Sequence, residues 1–185
     1  MDLITDLPPS NTYDALLTIV DQGCSKLAVF LPCHKTISDK GIAQLYFCHL
    51  FPWFGIPKCI ISDQDPRFIS HFTKAVCEAT EIQQNISTAF HPRTDGQTEC
   101  INQWVEIYLY QFVKGCQNDW IALLPMAEFI HNSWKHEHSK HSLHKLIIRI
   151  NPSASITASQ NSVPAVQDCL KKLQKARTDT QNALS

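Results

Sequence analysis

Cys59-Ile-Ile-Ser-Asp63 is a short apolar run that ends in a carboxylate, and the turn residues Gln64-Asp65-Pro66 follow it directly. An apolar run of this length with a stop at its end indicates a buried strand. A carboxylate at the end of a buried strand is costly to ionise unless it is paired or binds a metal ion. The stretch therefore predicts a sheet that carries Asp63 as a candidate functional residue.

Two further carboxylates stand in comparable positions. Asp2 opens the apolar segment Met1–Ile4, which indicates a strand, and Glu99 ends Thr94-Asp-Gly-Gln-Thr-Glu99, where a helical pattern begins. Thirty-five residues separate Asp63 from Glu99. Magnesium and manganese prefer hard oxygen ligands, and phosphoryl transfer on nucleic acids commonly uses two such ions held by shared carboxylates. Isolated carboxylates are weak evidence for such a metal site, because most lie on solvated surfaces. The motifs around them are more specific.

Five segments carry a shared pattern: Asp14-Ala-Leu-Leu-Thr-Ile-Val-Asp21, Leu31-Pro-Cys-His-Lys-Thr36, Ile60-Ile-Ser-Asp63, Ser87-Thr-Ala-Phe-His-Pro-Arg-Thr-Asp-Gly-Gln-Thr-Glu99 and Pro125-Met-Ala-Glu-Phe129. Together they resemble the integrase core of Ty3/gypsy-type LTR retrotransposons, and most of all the versions in fungal elements. The similarity covers residues 2–140, with a weaker echo in Pro164-Ala-Val-Gln-Asp168.

The resemblance implies a catalytic site. The family's D,D-35-E triad corresponds to Asp2, Asp63 and Glu99, which would be both the catalytic residues and the ligands of two Mg²⁺ (or Mn²⁺) ions. The implied activity is 3′-end processing and strand transfer, which integrate an element into DNA. The face around Glu99 would lie against the DNA end. The alternative is that its polar residues only contact solvent. The candidate nucleic-acid contacts are His91, Arg93, Gln97 and Asn102.

The resemblance also implies partners and a location. The partners are the DNA ends of the element and the target DNA, with RNA as a further candidate. The active protein would be a homo-oligomer that works in the nucleus after synthesis in the cytoplasm.

The order of elements predicts an α/β fold of the RNase H-like type, with a five-stranded mixed sheet flanked by helices. Predicted strands begin near Met1, span Tyr13–Asp21, Lys26–Leu31 and Lys58–Ile61, and end with an edge strand at Glu81–Ser87. The first three should be antiparallel, with Lys58–Ser62 beside the first. Predicted helices run from Ser38 to a break at Gly55-Ile-Pro57, from Pro66 to about Ala79, from Asp95 through Phe112, and from Asn118 to Ile130. Residues 88–95 are predicted to form a loop.

The domain organisation follows from a change in composition after about His131. Residues 1–145 are predicted to form the integrase core, and residues 146–164 a linker rich in Ser, Ala and Asn. Residues 165–185 are predicted to form an amphipathic helix, whose lysines are read as a solvated face.

Composition excludes several classes of protein. With 185 residues, of which 44% are hydrophobic and 18% charged, the chain is typical of a soluble globular protein rather than a disordered tail. No apolar run approaches a membrane span and no signal peptide is evident, so no membrane partner is expected. The formal charge of −1 argues against strong unaided DNA binding, since Lys and Arg supply most non-specific affinity.

Neither the cysteines nor the histidines predict a metal site. The eight cysteines include no C-x-x-C pair and mostly have apolar neighbours, so buried free thiols are expected. Five histidines cluster between His131 and His144, but their spacing is not that of a familiar zinc finger.

Three departures from the family pattern bear on activity. Only Met1 precedes Asp2, Cys100 stands where the family usually has Arg, and Ser142–Ile150 lacks the expected Pro, Phe and Gly. In addition, Asp65 replaces the usual Gly, and its charge could raise metal affinity at Asp63 or misplace that ligand. These departures suggest a truncated or decaying copy whose activity is in doubt. Three readings therefore stay open: an active integrase core, a catalytically silent module that binds nucleic acid or a partner, and an RNase H-like nuclease.

Overall fold

The order of strands and helices matches an α/β protein. A computed structural model describes residues 1–23, 25–86, 96–113, 119–134, 142–147 and 149. The strands are β1 (Asp2–Ile4), β2 (Ala15–Val20), β3 (Ala28–Cys33), β4 (Cys59–Ser62) and β5 (Gln83–Ile86). The helices are α1 (Asp39–His49), α2 (Phe51–Phe54), α3 (His71–Ala79), α4 (Gly96–Phe112), α5 (Trp120–Ser133) and α6 (Leu143–Ile147).

The first three strands form an antiparallel sheet in the order β1-β2-β3, as predicted. Strand β2 lies in the middle and is buried from Ala15 to Ile19, which explains why its sequence is apolar except for Thr18. Its Thr18 faces Asp2 on one side and Phe30 on the other. The β2–β3 turn is closed by the carboxylate of Asp21, which accepts hydrogen bonds from the amides of Gly23 (2.9 Å) and Ser25 (3.0 Å).

The prediction of one five-stranded sheet is wrong in one respect. Strands β4 and β5 pair in parallel as a separate two-stranded sheet, with Cys59 opposite Gln83 and Ser62 opposite Ile86. A hydrogen bond of 2.6 Å from the amino group of Met1 to the carbonyl oxygen of Ile61 brings the start of β1 beside β4. A ladder needs successive backbone pairs, and the described residues form none between β1 and β4, so the described strands divide into sheets of three and two.

The helices begin where side chains cap them. The Ser38 hydroxyl accepts from the Gly41 amide (3.2 Å) and starts α1 as predicted. The chain then breaks at Leu50 before α2, because Pro52 has no amide to continue the helix. Helix α3 starts five residues later than predicted, because Ser70 rather than Pro66 precedes its first turn and accepts from the Thr73 amide (3.1 Å).

The core lies between the first sheet and the helices that pack on it. Its buried cluster comprises Ala15, Leu17, Ile19, Leu31, Cys33, Ile42, Leu50 and Phe68. On α4 the predicted stripe is buried at Ile101, Val105 and Tyr108, whereas Phe112 is half-buried. The buried-thiol prediction is confirmed for Cys33 and Cys77 and wrong for Cys48 and Cys100, which are exposed on α1 and α4.

The chain divides into two compact units, Met1–Glu128 and Phe129–Ser185. The boundary falls within α5. Most of the predicted linker 146–164 and all of the predicted helix 165–185 lie outside the described residues, so both stay predictions. No helix in the described part of the chain is long and apolar enough to cross a membrane.

Glu128 covers the outer strand of the first sheet. Its Oε2 accepts a hydrogen bond of 3.1 Å from the amide of Phe30 in β3, which links α5 to the sheet edge. Burial raises the pKa of Glu128, while the Phe30 hydrogen bond and the charge of His49 oppose this effect. A carboxyl group with a raised pKa binds protons more readily in the folded state, so its ionisation costs stability as pH rises above the ordinary Glu value.

We therefore expect Glu128→Gln to reduce the loss of unfolding free energy between about pH 4.5 and neutral pH. The amide oxygen can still accept from Phe30, so the variant should be at least as stable as the wild type at pH 7. Urea unfolding across this pH range measures the effect, with Glu128→Ala as the variant that leaves the Phe30 amide without its acceptor. A pH profile of Glu128→Gln identical to that of the wild type would contradict the account.

Candidate metal centre

Asp63 is the first residue after β4 and is half-buried. Its Oδ1 accepts a hydrogen bond of 3.1 Å from the amide of Asp65, so the turn after the strand orients the carboxylate. Burial raises the pKa of Asp63, and the negative charges of Asp2 and Asp65 add to this effect. The Asp65 hydrogen bond and the amino group of Met1 act in the opposite direction. The structure thus holds a partly desolvated carboxylate at the end of β4, where the sequence predicts it.

Asp2 is the first residue of β1 and is also half-buried. One carboxylate oxygen accepts from the amide of Leu3 (2.8 Å), and the other accepts from the side-chain amide of Asn102 on α4 (2.6 Å). Because Met1 bonds to Ile61, β1 places Asp2 near the end of β4, and the charge of Asp2 acts on Asp63. The structure therefore brings two of the three predicted ligands together.

Glu99 lies in the first turn of α4 and is exposed. Residues three apart on a helix are neighbours on one face, so Glu99 is beside Asn102, which contacts Asp2. Within the described ranges, however, no group of three or more His, Cys, Asp or Glu side chains is arranged to hold a metal ion. The residues directly before α4, 87–95, lie outside the described residues. The structure thus puts Glu99 on the helix that supports Asp2, without joining it to the Asp2–Asp63 pair.

The predicted nucleic-acid contacts have different placements. His91 and Arg93 lie outside the described residues. Gln97 is exposed, and its Oε1 accepts a hydrogen bond of 2.9 Å from the ammonium group of Lys26 in the β2–β3 turn. Asn102 is only 8% exposed and its amide nitrogen is bonded to Asp2. Asn102 therefore orients a carboxylate, and a nucleic-acid contact by any of the four residues stays a prediction.

Asp65 and Arg67 form a pair that the sequence did not reveal. The guanidinium of Arg67 donates to both carboxylate oxygens of Asp65, through Nε at 2.7 Å and through Nη2. The pair lowers the pKa of Asp65. The spacing i, i+2 around Pro66 is the signal that could have suggested the pair, but such spacing is common in turns. The charge that Asp65 adds beside Asp63 is thus compensated within the same turn.

The chemistry of the pair suits a divalent ion. Asp2 and Asp63 offer four hard oxygens, and the three that accept a described hydrogen bond each have a second lone pair that could face an ion. The negative charge of Asp2 helps to raise the pKa of half-buried Asp63, so a cation between the two carboxylates would be favoured. These two residues fit magnesium or manganese, whereas a complete three-carboxylate site is not formed by the described side chains.

Solved structures share this fold. The catalytic core domain of HTLV-2 integrase in complex with magnesium (trimeric form) matches with a TM-score of 0.59 and 17% identity, over 79% of this chain and 93% of that one. The simian T-cell lymphotropic virus intasome in complex with the PP2A regulatory subunit B56 gamma matches with a TM-score of 0.64 and 18% identity, over 88% of this chain and 59% of that one. The catalytic core domain of BIV integrase gives 0.59 and 16%, over 80% and 93%. The chain therefore has the RNase H-like α/β fold of integrase cores.

Sequence relatives identify the family of this chain more closely than the shared fold does. The Tf2-3 and Tf2-4 transposon polyproteins of Schizosaccharomyces pombe (strain 972) are each 33% identical to this chain over 155 residues, which is 84% of the chain. The chain spans 12% of the length of these relatives. No model of a protein family matches it. The chain belongs to the integrase cores of Ty3/gypsy-type LTR retrotransposons.

Proposed function

We propose that this chain is the catalytic core of an integrase, which processes the 3′ ends of element DNA and joins them to target DNA. The observation that carries the proposal is that the hydrogen bond from Met1 to Ile61 brings Asp2, at the start of β1, near Asp63, directly after β4, where the charges of the two carboxylates interact. The identity to Tf2 polyproteins supports the same conclusion. Both reactions are in-line displacements at phosphorus, so one site can perform both.

The proposed site uses Asp2, Asp63 and Glu99 to hold two Mg²⁺ or Mn²⁺ ions. The HTLV-2 core was solved with magnesium, which supports this choice of ion. Bound there, the ions would supply Lewis-acid activation of a water or 3′-hydroxyl and charge stabilisation for the leaving oxygen. The chain's own contribution is orientation: Asn102 fixes Asp2, and the Asp65 amide fixes Asp63. Glu99 would reach the ions from the first turn of α4.

The proposed partners are the element's DNA ends and the target DNA, with RNA as a further candidate. We propose that the active form is a homo-oligomer in the nucleus. The related structures include a trimeric core and an intasome, which supports assembly on DNA. His91, Arg93, Gln97 and Asn102 remain the proposed contacts to nucleic acid.

A metal-binding experiment tests the proposal at the level of stability. Burial and the neighbouring charge of Asp2 raise the pKa of Asp63, so the ionisation of Asp63 without a metal ion costs stability once the pH exceeds the ordinary Asp value. A divalent ion that binds the folded state should relieve this cost and raise the melting temperature. We expect Mg²⁺ or Mn²⁺ to stabilise the wild type, and Asp63→Asn to lose most of that rise. Equal rises in both proteins would show that the ions bind elsewhere.

A second function is favoured by one observation. Glu99 is exposed and outside any described metal-ligand group, which suits a catalytically silent module that binds nucleic acid or a partner. The two functions differ in a single assay. An active core performs disintegration, the reverse of strand transfer and the reaction least dependent on flanking domains, whereas a silent module binds ions or DNA without turnover.

A further inference from the structure

The guanidinium of Arg67 is fixed by hydrogen bonds to two residues, Asp65 and Lys35. Besides its two contacts to Asp65, its Nη1 donates a hydrogen bond of 2.8 Å to the carbonyl oxygen of Lys35, in the connection between β3 and α1. The two side chains of the pair are only 23% and 18% exposed, for Arg67 and Asp65 respectively. Bidentate pairing of this kind fixes geometry as well as charge.

The pair is part of the turn that presents Asp63. The Asp65 amide donates to Asp63, the Asp65 side chain accepts from the Arg67 amide (2.9 Å), and the Asp65 carbonyl accepts from the Phe68 amide (2.9 Å). The Thr73 hydroxyl then donates to the Arg67 carbonyl (2.9 Å), which connects the turn to α3. An unbroken series of bonds therefore runs from the Asp63 carboxylate through Arg67 to the Lys35 carbonyl.

Without the guanidinium of Arg67, the Asp65 carboxylate would keep the hydrogen bond from the backbone amide of residue 67 but lose its charged partner, so its hard oxygens could bind an ion two residues from Asp63. A divalent ion could then be held by Asp63 and Asp65 instead of Asp63 and Asp2. Such an ion would bind well, since one more unpaired negative charge attracts it. It would nevertheless lie in the wrong place for Glu99 and the substrate.

We propose that Arg67 is a positioning residue of the metal centre, which holds Asp65 away from the ion so that Asp2 and Asp63 share it. The inference rests on the proposed integrase function. This role predicts that removing the Arg67 guanidinium strengthens the binding of the ion but slows the reaction. A purely structural role would not produce these opposite effects.

The test uses the full chain, with Mn²⁺ as the probe. Arg67→Gln should bind Mn²⁺ about fivefold more tightly by calorimetry, because Asp65 is no longer neutralised. At saturating Mn²⁺ its disintegration rate should fall by about 100-fold, because a small misplacement of a reacting group costs that much. The double variant Asp65→Asn/Arg67→Gln removes the competing carboxylate, so its Mn²⁺ affinity and most of its rate should return to wild-type values.

Arg149→Gln is the matched control, because it removes the same charge from an exposed residue of the other unit and should change neither quantity. Weaker Mn²⁺ binding by Arg67→Gln, or no recovery in the double variant, would overturn the inference. If the wild type shows no metal-dependent disintegration while the Mn²⁺ affinities follow the predicted pattern, the proposed integrase function fails and the role of Arg67 in placing the ion stands. Wild-type protein that binds no Mn²⁺ would contradict both.

Discussion

Replacing Asp63 with Asn is expected to lower the rate of metal-dependent disintegration by about 1,000-fold or more, because the ion contributes several kcal/mol to the transition state. Asparagine keeps the shape of the side chain and can still accept the hydrogen bond from the Asp65 amide. What it loses is the negative charge that, in the proposed site, would hold the ion together with Asp2. Single-turnover assays on a branched DNA substrate, with Mg²⁺ and with Mn²⁺, measure the effect.

The matched control for this change is Glu78→Gln, which removes one negative charge from an exposed position of α3. It should leave the rate unchanged. Activity retained by Asp63→Asn would contradict the assignment of the metal centre. A wild-type chain that folds and binds metal but has no turnover would favour the silent module.

The second large effect concerns stability. Phe68 is 1% exposed within the core cluster and directly follows Arg67 in the turn after β4. Replacing it with Ala should cost about 3–5 kcal/mol of unfolding free energy, because a large aromatic side chain leaves a cavity that the surroundings fill only in part. Urea unfolding at fixed ion concentration provides the measurement.

Two further variants test whether the loss of buried volume causes this effect. Phe68→Leu keeps much of the volume and should cost markedly less than Phe68→Ala. Trp53→Ala removes an even larger ring, but Trp53 is 81% exposed on α2, so the change should be small. A cost below about 1 kcal/mol for Phe68→Ala would mean that this core cluster is not tightly packed.

Local sequence was sufficient to predict a strand or the start of a helix where the interactions that form it lie within a few residues. The apolar run before Asp63 predicted β4, and Ser38 predicted the start of α1, because strand burial and helix capping depend on adjacent side chains. Pro66 was misleading for α3, since proline suits a first turn but Ser70 supplies the hydrogen bond that starts the helix.

Contacts between distant residues could not be predicted in the same way. The bond between Asn102 and Asp2 joins residues 100 apart, and no local pattern specifies it. Arg67 reaches Lys35, 32 residues earlier, so its role depends on how the turn after β4 packs. The division of the strands into two sheets likewise depends on how β1 meets β4, which is a property of the folded chain.

In the proposed site, Asp2 and Asp63 hold a catalytic divalent ion together with Glu99. The most direct measurement is the anomalous scattering of Mn²⁺ in crystals of the full chain. The proposed site predicts a peak bridged by the Asp2 and Asp63 carboxylates, with a Glu99 oxygen at about 2.0–2.6 Å from a bound ion. A well-ordered structure in Mn²⁺ with no peak between Asp2 and Asp63, or with the ion bound only at other carboxylates, would contradict it.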